Sequence, residues 1–375
     1  MKLSRGDLTT LTSKDNKAPS KPVKLPTISS PVLKAIHRFL MPVVVSPFSN
    51  QMVADFQGLC GIKADGTISV LPLKYFFKLC STAGEEIFGL MPFLIYASVE
   101  VGYAFATNFG IMLTIGQMTK DLLFLPRPPV TWPKCTRPIL KLEKHFETEY
   151  GFPSTHAMSG LLPLSCFLAL SRRGVDVSDN WWVFCAVYST CVALSRLYMG
   201  VHSVLDVVGG TLYGLIFIFV LHQWGDIFDD FSYTHPYGIV VPFVGLLMFI
   251  TLYPRTKPWS ASFGTAAQFF GTWLGLSFSF WFANVIMPEI GDMLRSLSLL
   301  HPQSLTTNVS GFAIRGLVAM IIVGFNKVFV KWWATKLFLQ LRKTGFLPID
   351  PEEEVDVHGN KIADNKTYWI EVPMR

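Results

Sequence analysis

The chain has 375 residues and a net charge of +6; half of its residues are hydrophobic, 14% are aromatic and only 15% are charged. A soluble globular domain carries about 25% charged residues, so the deficit argues against an ordinary soluble domain and predicts an integral membrane protein. The positive charge does not describe a nucleic-acid surface, because much of it lies in Lys2, Arg5, Lys14, Lys17, Lys21, Lys24, Lys34 and Arg38, and a polybasic tail of this kind faces anionic membrane lipid.

Residues 1–30, polar and rich in Lys, Ser and Pro, are predicted to form a disordered basic tail with no signal peptide. Residues 31–82 mix apolar and charged residues and are expected to be amphipathic and interfacial. Within them, Leu71–Cys80 either lies at the interface or extends the first span. Residues 83–335 are expected to hold about eight spans, because a stretch of about 20 apolar residues crosses a bilayer. These run over Phe88–Ala106, Phe109–Leu125, His156–Ser171, Trp182–Tyr198, Ser203–Trp224, Tyr237–Tyr253, Ala267–Met287 and Ser310–Trp333. The long connection Pro126–Pro153, rich in Pro, Lys and Arg, stays outside the hydrocarbon, and residues 336–375 form a polar tail. The predicted fold is therefore all-α, a polytopic helical bundle without internal repeats. The six cysteines form no CxxC pair and suggest neither a disulfide framework nor a metal site. Gly209, Gly210 and Gly214 point to close helix packing, and Glu100, in an apolar run, is expected to pair with a neighbouring helix.

Three polar clusters interrupt this apolar pattern. The first is Lys120-Asp-Leu-Leu-Phe-Leu-Pro-Arg127-Pro128, the second Gly151-Phe-Pro-Ser154-Thr155-His156-Ala157, and the third Ser195-Arg196-Leu-Tyr-Met-Gly-Val-His202-Ser-Val-Leu-Asp206. The first two follow the second expected span and the third follows the fourth, so all three emerge on one face. Lys120, Arg127 and Arg196 supply enough positive charge for a phosphate dianion, Arg by a planar fork and Lys as a point charge. Ser154 occupies an N-cap position, and a helix N-terminus attracts anions. His202 and Asp206, four apart, share a face if helical, which lets the carboxylate orient the imidazole. His156, from the other loop, can then protonate a leaving oxygen. Thr155 is grouped with the phosphate-binding residues as a lining side chain.

These clusters resemble the signature of the type 2 phosphatidic acid phosphatase (PAP2) superfamily: Lys, six residues, Arg-Pro; Pro-Ser-x-His; and Ser-Arg, five residues, His, three residues, Asp. Thr155 stands where the usual form has Gly. With Leu142-Glu143-Lys144, Glu149-Tyr150-Gly151, Gln117-Met118-Thr119-Lys120-Asp121 and Ile370-Glu371-Val372-Pro373, it is similar to the sphingosine-1-phosphate phosphatase branch.

The resemblance implies a six-helix catalytic core and hydrolysis of a sphingoid base 1-phosphate through a phosphohistidine on His202. It also implies that Asp206 supports that histidine, His156 acts as the acid, and Lys120, Arg127, Ser154, Thr155 and Arg196 hold the phosphate. No cofactor and no metal are expected; the implied partners are a phosphorylated lipid and membrane lipids, with no nucleic acid. Phosphatidic acid, a polyprenyl diphosphate, or phosphate transfer to another acceptor fits the same residues. The resemblance implies an endoplasmic reticulum protein with a lumenal site, whereas the basic residues Arg127, Lys134, Arg137, Lys141, Lys144, Arg255 and Lys257 favour a cytoplasmic one.

Overall fold

Apolar stretches punctuated by Gly, Pro and Ser fold into helices of uneven length. The structure, a computed structural model, describes residues 31–44, 47–85, 99–128, 137–143, 149–172, 178, 180–254, 260–296 and 309–344. The basic tail, most of the first expected span, parts of the 126–153 connection, the Glu100 side chain and the Ile370–Pro373 motif lie outside the described residues.

The helices are α1 (Pro31–Val44), α2 (Pro47–Leu59), α3 (Leu71–Glu85), α4 (Val99–Thr107), α5 (Leu113–Leu123), α6 (Thr155–Ser159), α7 (Leu162–Arg172) and α8 (Asn180–Tyr198). They are followed by α9 (Val204–Thr234), α10 (Val240–Leu252), α11 (Ser262–Trp281), α12 (Pro288–Ser296) and α13 (Val309–Lys343). A π turn, Asn108–Met112, joins α4 to α5, and another, Phe282–Ile286, extends α11. Among the described residues three helical stretches are long and apolar enough to cross a membrane: Val204–Thr234, Ser262–Ile286 and Gly316–Ala334. Pro236–Leu252 is a shorter apolar stretch. The expected span 156–171 breaks in two, because α6 ends at Ser159 and α7 begins at Leu162.

The core that fixes the site lies between α5 and α11, which run along each other, and between the short α6 and α9. Phe105, Phe109, Met112 and Leu113 pack there against Met158 and Leu162. Within a bilayer such contacts gain by close approach more than by escape from water. Gly210 is the example: a Cβ there would strike the Ser154 carbonyl, so glycine allows α9 to lie against the strand of chain entering α6.

Helices of the segment 31–82 pack against the rest of the bundle. Helix α3 packs along α8, and α2 contacts α8 and α9, with Val53 and Ala54 fully buried. Gln57 on α2 donates to the carbonyls of Leu140 (2.8 Å) and Tyr198 (2.9 Å) and accepts from the Leu140 N–H (2.9 Å). This one amide joins the long connection to the end of α8. Gly200 closes that end with φ +69°, and a side chain there would collide with the Leu140 carbonyl, so the position needs glycine on both counts.

Candidate active site

The site assembles where three helix ends meet. Helix α5 stops because Phe124 adopts a left-handed conformation (φ 53°) and the following Pro126 and Pro128 cannot continue it. Lys120 is thereby placed in the last turn and Arg127 just beyond. The Phe124 ring packs edge-on against Tyr150 at 5.2 Å, and the Gly151 N–H donates to the Leu125 carbonyl at 2.8 Å. The first cluster is thus tied to the lead-in of the second. The second is tied to the third by the Ser154 N–H, which donates to the Asp206 carbonyl at 3.0 Å.

His202 does not share a helical face with Asp206 as the spacing predicted. It precedes the helix: Ser203 is the N-cap of α9 and Asp206 its third residue, in a reciprocal capping box. The Ser203 N–H donates to Asp206 Oδ2 at 2.7 Å and the Asp206 N–H to Ser203 Oγ at 3.2 Å. This cap brings Asp206 Oδ2 to 3.6 Å from His202 Nδ1, beyond hydrogen-bond distance but close enough to orient the ring. On its other edge, His202 Nε2 lies 3.1 Å from Arg127 NH1. A guanidinium can only donate, so Nε2 must accept, and the ring proton sits on Nδ1, toward Asp206. Burial first, then the positive charge of Arg127 and its neighbours, holds the His202 pKa well below 6.5. A neutral ring with its proton on Nδ1 and its lone pair on Nε2 is the form a nucleophile requires.

The cations are buried and paired. Lys120 Nζ meets Glu149 Oε2 at 2.9 Å and donates to Thr155 Oγ1 at 3.4 Å. Arg127 donates from Nε to the Glu149 carbonyl (3.0 Å) and from NH1 to the Val201 carbonyl (2.8 Å), and its NH2 lies 3.5 Å from Glu149 Oε2. Burial pulls Arg127 down to about 10, which leaves it charged at neutral pH. Burial also pushes the Glu149 carboxyl up, but Lys120 and Arg127 outweigh this and hold it below the usual range. Arg196, fully buried on α8, donates to Ser81 Oγ of α3 and to Glu143 Oε2 at 3.0 Å. His156 sits within electrostatic reach of Arg196, Glu143, Lys120, Arg127 and His202.

All eight residues singled out from the sequence therefore fall in one place: Lys120, Arg127, Ser154, Thr155, His156, Arg196, His202 and Asp206. The detail differs at Ser154. It does cap α6, accepting from the Ala157 N–H at 3.4 Å, but that helix is only five residues long, too short for much of a dipole. The charge that would hold an anion is on the side chains. Sequence reasoning missed the roles of Glu149, Glu143, Ser81 and Gln57. The two glutamates stood out only as part of a family-like pattern, and nothing in their spacing revealed which cations they meet.

Residues 98–228 match the family model of the PAP2 superfamily. Mouse sphingosine-1-phosphate phosphatase 1 is 32% identical over 270 residues, covering 70% of this chain and 61% of the relative. Mouse sphingosine-1-phosphate phosphatase 2 is 26% identical over 316 residues, 81% of this chain and 87% of the relative. A dihydrosphingosine 1-phosphate phosphatase of Schizosaccharomyces pombe is 26% identical over 272 residues, 69% and 62%. The chain thus spans about three fifths of the length of the first of these relatives. No solved structure matches.

Proposed function

Since residues 98–228 form a PAP2 superfamily domain, we propose that this integral membrane protein is a phosphatase of long-chain sphingoid base 1-phosphates. The observation that carries the chemistry is the single imidazole of His202 set between Arg127 at Nε2 and Asp206 at Nδ1. His202 Nε2 attacks phosphorus, and the bond from phosphorus to the ester oxygen breaks. His156, entering the step as the imidazolium, gives its proton to the departing alkoxide and becomes neutral. In the second step water attacks the phosphohistidine, its proton passes to His156, and inorganic phosphate leaves with His202 neutral again. Asp206 stabilises the ring while it carries positive charge. Lys120, Arg127 and Arg196 balance the charge on the phosphoryl oxygens, in a site where preformed cations act more strongly than in water. Ser154 and Thr155 shape the cradle, Thr155 through its contact with Lys120. No step uses a metal or cofactor.

The sphingoid substrate rests on the similarity to relatives named for sphingosine 1-phosphate and dihydrosphingosine 1-phosphate. Residence in the endoplasmic reticulum rests on the branch resemblance and is checked by co-staining of the full chain with a marker of that membrane. A second substrate reading, a polyprenyl diphosphate, is favoured by a 119-residue match at 29% identity to an undecaprenyl-diphosphatase of Sulfolobus acidocaldarius. The test is phosphate release in detergent with EDTA from sphingosine 1-phosphate, phosphatidic acid, a polyprenyl diphosphate and a water-soluble monoester. EDTA-resistant activity that favours the sphingoid phosphate and is lost in His202→Ala is expected. Preference for another lipid would sink the substrate assignment, and activity surviving in His202→Ala would sink the mechanism.

A further inference from the structure

Among the described residues, each cation of the site already meets a carboxylate. Lys120 and Arg127 meet Glu149, Arg196 meets Glu143, and Asp206 faces Arg127 across His202. A bare phosphate dianion entering this cage would bring negative charge against carboxylates that are already buried, where an unpaired charge is costly. A head group that carries its own cation avoids much of that cost.

Glu149 is the carboxylate placed to use such a cation. Its Oε2 touches both Lys120 and Arg127, its Oε1 accepts from Thr265 of α11 at 3.3 Å, and the side chain is buried. Arg127 bridges it to the nucleophile, with NH1 on His202 Nε2 and NH2 on Glu149 Oε2. Carboxylate and nucleophile are thus one guanidinium apart. In a sphingoid base 1-phosphate the ammonium nitrogen sits on the second carbon from the ester oxygen, a similar reach. Phosphate at His202 would draw Lys120 and Arg127 toward its own oxygens, and the ammonium could take their place on Glu149. Glu143 pairs instead with Arg196, whereas it is Arg127, the partner of Glu149, that reaches His202 Nε2.

We propose that Glu149 is a specificity-determining residue that recognises the ammonium group beside the scissile phosphate, and so selects amino-phosphate lipids over plain phosphate lipids. This rests on the lipid phosphatase reading above. The test compares kcat/KM for sphingosine 1-phosphate, its 2-deamino analogue and chain-matched phosphatidic acid, in wild type, Glu149→Gln and Glu149→Asp. Wild type should favour the amine over the deamino analogue by roughly 10-fold to 100-fold, as expected for one charge-assisted hydrogen bond. Glu149→Gln should bring that ratio close to one, mainly through a higher KM for the amine, and Glu149→Asp should keep most of it. Equal wild-type rates on the amine and its deamino analogue would overturn the proposal, and this comparison stands even if Glu149→Gln does not fold. An equal fall on both substrates in Glu149→Gln, the mark of a purely structural clamp, would also overturn it. Wild type that favours the amine and the deamino analogue equally, both above phosphatidic acid, would sink this inference alone. Wild type that favours phosphatidic acid would sink the substrate reading beneath it as well.

Discussion

Helix α9 carries a buried polar cluster at each end, and the two are built differently. At its N-terminal end, His202 and Asp206 stand among the buried cations Lys120, Arg127 and Arg196, and His202 Nδ1 and Asp206 Oδ1 have no hydrogen-bond partner. At its C-terminal end, the Thr107 hydroxyl meets the Tyr233 hydroxyl at 2.9 Å and donates to Asp229 at 3.4 Å. Asn284 donates to the Tyr103 hydroxyl (2.6 Å) and the Tyr233 carbonyl (3.1 Å), and accepts from Arg295 (2.8 Å). Tyr103, Tyr233 and Phe280 pack ring against ring there. Buried polar groups are normally satisfied, and the second cluster behaves as a brace that holds α4, α9 and α11 together. The first keeps several charges in a confined space, an arrangement that stability alone does not favour. Burial of polar residues on an apolar helix does not by itself separate these cases; the crowding of buried charge does.

Substitutions at the two ends should separate activity from stability. The largest effect is expected from His202→Ala, with phosphate release falling about 10³-fold or more, as when a nucleophile is removed, while the thermal unfolding midpoint in detergent changes little. Lys120→Met comes next. It should lower kcat/KM by about 10²-fold to 10³-fold and cost about 3–5 kcal/mol of stability by leaving Glu149 short of a partner. Adding Glu149→Gln to Lys120→Met should restore part of that stability in a denaturant titration without restoring turnover.

Ser203→Ala removes half of the capping box, costing about 1 kcal/mol, and frees Asp206 to move from His202, so kcat should fall several-fold. At the far end of α9, Tyr233→Phe should cost up to about 1 kcal/mol and leave kcat/KM unaltered. A fall in kcat/KM there would mean that the brace is coupled to the chemistry.

The pH profile sharpens the same contrast. Because His202 has its pKa lowered from 6.5 by burial and nearby cations, its ring stays neutral into mildly acid solution. Its limb of kcat/KM should therefore have a midpoint below 6.5. The linked stability has a definite sign. Unfolding releases His202 to its ordinary pKa, so below 6.5 the unfolded chain binds a proton that the folded chain refuses, and stability falls with falling pH. His202→Ala should make that part of the stability profile shallower, whereas Tyr233→Phe should leave its shape alone.

Much of this was readable in advance. The polar clusters at 120–128, 151–157 and 195–206 were visible because charged residues rarely interrupt apolar runs without a purpose. The break between α6 and α7 was not visible, since the run from His156 to Ser171 is apolar enough to read as one helix. The burial of α2 was also hidden. Gln57 looks like an ordinary polar residue until its amide is found holding Leu140 and Tyr198, and that depends on chain segments more than 80 residues away.

The sequence alone determined an all-helical membrane protein and the eight residues of the candidate site, because residue type, spacing and hydropathy are local properties. The tertiary structure decided how those residues are charged and aimed. Only the folded chain puts Glu149 on Lys120 and Arg127, Glu143 on Arg196, and His202 ahead of the helix rather than on it. Ion pairs between distant segments and the direction of a ring follow from how helix ends meet, and no spacing along the chain encodes that.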